Sequence, residues 1–142
     1  MCTGTEVGGV WFLSPLRSGK DAYSPEPHMM PGCVFCEIVA GTAPATVVRR
    51  TPVTLTMVPL DPVVPGHLVV LPVEHVADFT VRPSVSAEVM HQAANIAYSM
   101  GPCNLITSKG PEATQTIFHL HLHIVPRAAG DGLKLPWSDQ RR

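Results

Sequence analysis

Positive charge is in short supply. Ten Lys and Arg stand against eleven Asp and Glu, a net charge of −1 with histidine neutral. No basic field is available to hold nucleic acid or an anionic membrane without specificity. Phosphate recognition, if there is any, must come from a local site. Long apolar runs are missing too: none approaches the roughly 18 residues of a membrane span. The first 30 residues lack the basic start and apolar segment of a secretory signal, so the expected location is cytoplasmic. No internal repeat is visible and no linker splits the chain. Cysteine is limited to Cys2, Cys33, Cys36 and Cys103. Four could form two disulfides, but in a reducing compartment the close Cys33–Cys36 pair reads better as a metal or redox pair.

What remains is a chain of 142 residues, 45% hydrophobic and 15% charged, enough for one globular domain with a real core. Residues 1–30 are rich in Gly, Ser and Pro and are expected to form a mobile tail, with Val10-Trp11-Phe12-Leu13 as an apolar patch. The domain is expected over residues 31–142. Pro31 to Gly41 reads as a short helix closed by glycine. Thr46–Thr51, Val53–Val58 and His67–Pro72 read as strands, and Glu74–Phe79 as a short turn of helix. Ser84–Met100 is the one long helix, with Val85, Val89, Ala93, Ile96, Ala97 and Met100 on its apolar side and Gln92 among the polar cover. Asn104–Thr107 is a further strand. Leu133, Leu135 and Trp137 are late anchors. Meandering strands with one long helix on a sheet face give an α+β fold with an antiparallel sheet.

The most informative stretch is His119-Leu120-His121-Leu122-His123-Ile124-Val125-Pro126. Histidine and aliphatic residues alternate with a period of two, which puts three imidazoles on one face of a strand and Leu120, Leu122 and Ile124 in the core. An open strand face more often carries Thr, Lys or Glu. Two chemistries suit three imidazoles: nucleophilic attack on phosphorus by one of them, or a three-histidine metal site. Spacing favours the nucleophile, because residues i and i+4 on a strand lie about 13 Å apart. The loop before the strand, with Gly110, Thr114, Gln115 and Thr116, offers N–H groups, hydroxyls and an amide for phosphate oxygens. Cys33-Val34-Phe35-Cys36 by itself is a zinc half-site, a redox pair or two small core residues. Redox is the weakest of the three, since no thioredoxin-like pattern surrounds it. His67 opens a strand beside the histidines, as a buttress or as a satisfied core residue, and His91 reads as a boundary residue.

Gln115-Thr116 ahead of the alternating histidines, Pro62-Val63-Val64-Pro65-Gly66-His67 and Gly110-Pro111-Glu112-Ala113-Thr114-Gln115-Thr116 together resemble the histidine triad (HIT) family of nucleotide hydrolases and transferases. With Pro126-Arg127 and Ala129-Gly130-Asp131, the motifs look closest to its diadenosine triphosphate hydrolase branch. The resemblance runs from about Cys33 to Trp137. It implies a HIT-like fold: an antiparallel sheet of about five strands, one long helix and a short N-terminal helix. It implies catalysis by His121, His123 and His119, with His121 attacking the α-phosphate and forming a nucleotidyl-histidine. His123 would contact the phosphate or leaving group. Gln115, Thr116, Ser108, Leu60 and His67 form the implied nucleotide-binding set. The implied substrate is a purine nucleotide or nucleotide conjugate, such as a phosphoramidate, phosphoanhydride or dinucleoside polyphosphate. Structural zinc on Cys33, Cys36, His75 and His119 is implied as cofactor, and a homodimer in which Leu133–Trp137 lies near the partner's site. The chain departs from the family at three places. Pro59 stands where an Asp or Asn usually holds ribose, with Asp61 as a possible substitute. Ser108 replaces an Asn or Gln, and Thr114 replaces a glycine, at a position that implies positive φ. A nucleotide-binding regulatory module with little turnover, and a zinc hydrolase using the three histidines directly, are the competing expectations.

Overall fold

A computed structural model describes residues 29–137. The expected mobile tail, with its Val10–Leu13 patch, lies outside the described residues apart from Met29 and Met30. Helix α1 (Val34–Ala40) follows an extended Cys33 and ends at Gly41, whose φ of 77° is the left-handed value that glycine takes without strain. Strands β1 (Thr46–Arg50), β2 (Thr54–Val58) and β3 (Leu68–Pro72) form the expected antiparallel meander, with a bulge in β1 between Val47 and Arg49. At the entry to β3, Gly66 has φ 84°, and a Cβ there would meet Pro126 at 3.3 Å. Both the turn and the close approach ask for glycine.

Helix α2 (Pro83–Ala97) carries proline in its first turn and ends three residues before the expected Met100. Strand β4 (Cys103–Ile106) and strand β5 (Leu122–Pro126) complete one five-stranded sheet in the order β1-β2-β3-β5-β4. A 3-10 turn (Pro111–Ala113) lies in the loop between them. The neighbouring pairs are all antiparallel.

The sheet is covered unequally. On one face Val70, Leu122 and Ile124 pack with Val85, Val89 and Ala93 of α2. On the other, Leu55, Met57, Val69 and Leu71 pack against Phe35, Ile38 and Val39 of α1. Register puts His123 opposite Val69 on β3 and Ile106 on β4, so His123 points to the α1 side while Leu122 and Ile124 point to α2.

Four local expectations are corrected. The histidine strand begins only at Leu122, so His119 and His121 precede the ladder. That segment bonds elsewhere: Leu120 N–H to the Val76 carbonyl and the Gln115 amide to the Ala77 carbonyl. Glu74–Phe79 is accordingly a series of bends rather than a helical turn, its carbonyls turned outward to hold that segment. Gln92 is buried in α2 with its side-chain nitrogen unpartnered, not part of the polar cover. Trp137 is 61% exposed, so among the described residues it is not the buried anchor expected.

Ile124 is fully buried between the sheet and α2, whereas Val48 is exposed on edge strand β1. Ile124→Ala is expected to cost about 2–5 kcal/mol and Val48→Ala less than about 0.5 kcal/mol, read as shifts in urea unfolding.

Candidate active site

The departure of residues 119–121 from the ladder splits the three histidines between two environments. His119 is fully buried beneath α1, so the open face expected for it is closed. Its Nε2 donates to the Pro72 carbonyl at 2.9 Å, which leaves Nδ1 with its lone pair facing two thiols. Nδ1 lies 3.5 Å from Cys33 Sγ and 3.6 Å from Cys36 Sγ, and Cys36 Sγ lies 3.4 Å from His75 Nδ1. All four ligand atoms fall within 4.8 Å of one another. Bond lengths of about 2.3 Å to sulfur and 2.0–2.1 Å to nitrogen give a tetrahedral zinc a sulfur–nitrogen edge of about 3.5 Å. The measured separations match it. The cysteines are free thiols, and burial holds both histidines below the ordinary 6.5, His119 to about 4, so both are neutral donors. The Cys33, Cys36, His75 and His119 set fits a structural zinc, closed by four protein ligands, with the Pro72 carbonyl fixing the His119 tautomer behind it.

His121 and His123 face a pocket of about 320 Å³ instead. It is lined by polar groups from four segments, including His67, Asn104, Ser108, Thr114, Gln115 and Arg127. His121 Nδ1 lies 2.7 Å from the His119 carbonyl. A carbonyl only accepts, so Nδ1 carries the proton and Nε2 keeps a free lone pair. The Thr107 hydroxyl donates to the His121 carbonyl at 2.8 Å, and the Phe35 ring meets the His121 imidazole edge-on, with centroids 5.1 Å apart. Burial lowers the His121 pKa despite the bond to His119, so the lone pair stays unprotonated at neutral pH.

His123 has the opposite tautomer. The Val63 N–H donates to His67 Nδ1 at 3.2 Å, which forces the His67 proton onto Nε2. That proton is given to His123 Nδ1 at 2.9 Å, and His123 must then carry its own on Nε2. Burial, reinforced by His121 and His67, holds His123 to about 4. One backbone carbonyl and one backbone N–H thus set an acceptor on His121 beside a donor on His123.

The HIT domain family model matches residues 40–130, well over half of the chain. The chain belongs to the HIT family. An adenosine 5′-monophosphoramidase from Schizosaccharomyces pombe is 30% identical over 74% of this chain and 82% of that protein. An adenylylsulfatase from Arabidopsis thaliana is 31% identical over 76% of this chain and 57% of that protein. A zinc-bound histidine triad family protein from Mycobacterium smegmatis superposes with a TM-score of 0.68 and 35% identity, covering 73% of this chain and 81% of that chain.

Within the HIT fold, the expected residues divide. Ser108, Gln115, His67, His121 and His123 line one pocket, while His119 belongs to the metal cluster. The three histidines therefore do not converge on one ion, as a triad-bound metal hydrolase requires. Gln115 is buried, and its amide is spent on backbone: Oε1 accepts from Gly110, and Nε2 donates to Ala77 and Ile117. Leu60, 96% exposed, and Thr116 are not part of the lining.

Sequence reasoning took Arg127 and Asp131 only as motif residues and did not place them at the opposite wall. Arg127 pairs with both carboxylate oxygens of Asp131, with Asn104 Oδ1 at 2.6 Å and with the Leu133 carbonyl at 2.6 Å. Asp131 also accepts from the Ala128 and Leu133 N–H groups, and its carboxyl is held far below the usual carboxylate range. This buckle brings Leu133, Lys134 and Leu135 to the pocket of their own chain. The signal available was Arg127 and Asp131 at i, i+4 after the strand.

Two outcomes follow. Removing zinc with a chelator is expected to lower the melting temperature and activity together. A stripped protein that melts like the untreated one would disprove the structural role. For the buried histidines, protonation is easier in the unfolded chain, near 6.5, than in the fold, at about 4 for His119 and His123. Their contribution to stability is complete above 6.5 and is lost as pH falls toward 4. Urea unfolding at successive pH values should show that decline.

Proposed function

We propose that this HIT protein is a nucleotide hydrolase or nucleotidyl transferase acting on the α-phosphate of nucleoside phosphoramidates, phosphoanhydrides or dinucleoside polyphosphates, with purine nucleotides as substrates. The observation that carries this reading is the pair of opposed tautomers, a bare Nε2 on His121 beside an Nε2–H on His123 in one pocket. His121 Nε2 attacks phosphorus. A P–N bond forms, and the bond to the leaving atom breaks with its electron pair going to that atom. His123 donates a hydrogen bond to the departing atom, which takes its proton from solvent. The imidazolium formed on His121 keeps its Nδ1 proton on the His119 carbonyl, which stabilises the positive charge. Water then attacks phosphorus and gives a proton to solvent, the P–N bond breaks with its electron pair returning to His121 Nε2, and the nucleoside monophosphate leaves.

The phosphoramidase and adenylylsulfatase names of two relatives support cleavage next to an adenylate. Neither relative is a diadenosine triphosphate hydrolase, so that branch rests on motif likeness alone. The proposal includes a cytoplasmic location and a homodimer, the dimer supported by the exposed Leu105 on edge strand β4 and testable by sedimentation velocity.

Acid quench followed by intact-protein mass spectrometry, with adenosine phosphoramidate, adenylylsulfate and diadenosine triphosphate in turn, is the direct test. The expected result is an added mass of one nucleoside monophosphate, absent from His121→Ala, and its size with each substrate ranks them. Nucleotide binding without adduct or turnover would instead select a regulatory binding module. His67→Phe is expected to lower kcat about 10²-fold, in the range for loss of a positioned hydrogen-bond donor, because His123 loses its fixed tautomer.

A further inference from the structure

Thr114 is the only non-glycine among the described residues with positive φ, at 67° with ψ 19°. A β-branched side chain is among the least suited to this conformation, and glycine would adopt it freely. The backbone leaves no alternative. The Thr114 N–H donates to the Pro111 carbonyl at 2.9 Å, and the Gln115 N–H to the Gly110 carbonyl at 3.1 Å. Gly110 N–H closes the ring on Gln115 Oε1 at 2.9 Å, and Gln115 Nε2 ties the loop to Ala77. A strained residue in a loop locked on both sides calls for a use of its side chain.

The surroundings supply one. Thr114 lines the same pocket as His121 and His123, is exposed to it, and makes no hydrogen bond through its hydroxyl within the protein. The Gln115 amide beside it is fully engaged with backbone, so it is not free to receive a phosphate. Thr114 Oγ1 is thus a polar atom of this loop that is both in the pocket and unspent. We infer that Thr114 contacts substrate directly, its hydroxyl donating a hydrogen bond to a non-bridging oxygen of the nucleotide α-phosphate. The inference rests on the proposed function for the identity of the occupant.

Wild type, Thr114→Gly and Thr114→Ser are compared in melting temperature, in calorimetric affinity for adenosine 5′-monophosphate, and in kcat and KM for adenosine phosphoramidate. Thr114→Gly relieves the strain and deletes the hydroxyl. It is expected to melt at or above wild type while its affinity for the monophosphate falls about 10- to 100-fold, the range for a hydrogen bond to a charged group, with KM rising alongside. Thr114→Ser restores the hydroxyl and should recover most of the loss. Unchanged affinity in Thr114→Gly, or equal losses in both variants, would overturn the inference, and a lower melting temperature in Thr114→Gly would overturn its strain argument. If wild type binds the monophosphate but turns over no substrate, the proposed function fails while the affinities still decide the role of Thr114. If wild type does not bind it, both fail.

Discussion

The hydrogen bond from His121 Nδ1 to the His119 carbonyl is the contact on which the site depends. His119 serves two masters through different atoms: its ring joins the cysteines and His75, and its carbonyl holds the neighbouring imidazole. Any shift of that ring is carried through one residue of backbone to the orientation of the His121 imidazole, whose Nε2 is the proposed attacking nitrogen. Phe35 strengthens the link, since its ring meets both imidazoles and sits in α1 between the two cysteines. Placing the cluster under α1 therefore orients the His121 ring as well as bracing the fold.

The sheet contributes a second constraint. Because β3 and β5 are adjacent and antiparallel, His67 at the mouth of β3 comes beside His123 near the start of β5. No catalytic carboxylate is required to choose the tautomers. Backbone groups at Val63 and His119 do so from opposite sides, and burial keeps the rings neutral. A neutral imidazole with one nitrogen committed is a directional group, because its other nitrogen is then either a lone pair or a donor but not both.

Much of this was legible in the sequence, for reasons that vary by residue. The alternation of His with Leu and Ile separates the two faces correctly because side-chain direction has a period of two along an extended chain. The positive φ of Thr114 was anticipated from a glycine position, and the end of α1 from Gly41, whereas α2 stops three residues short of the expected Met100. The pairing of His67 with His123 was beyond reach, since it spans 56 residues and depends on strand order and register. The metal set needed a family resemblance, as nothing local to His75 marks it as a ligand. Glu74–Phe79 was misread because its residues tolerate a helix, while the structure uses their carbonyls to hold residues 115–120. Gln92 was misplaced by periodicity alone, which marks the centre of a buried face better than its edge.

The Arg127–Asp131 buckle has a consequence for how such a protein can diversify. The family model's match ends at residue 130, so Leu133, Lys134 and Leu135 form a pocket wall beyond the matched residues. The pocket histidines and this wall are thus written in separate stretches of sequence, with the Arg127 guanidinium bonded to both Asn104 and the Leu133 carbonyl. Mutational drift in the wall can reshape what fits beside the phosphate while the histidines and their tautomers stay as they are. The two halves of the pocket are free to change at different rates.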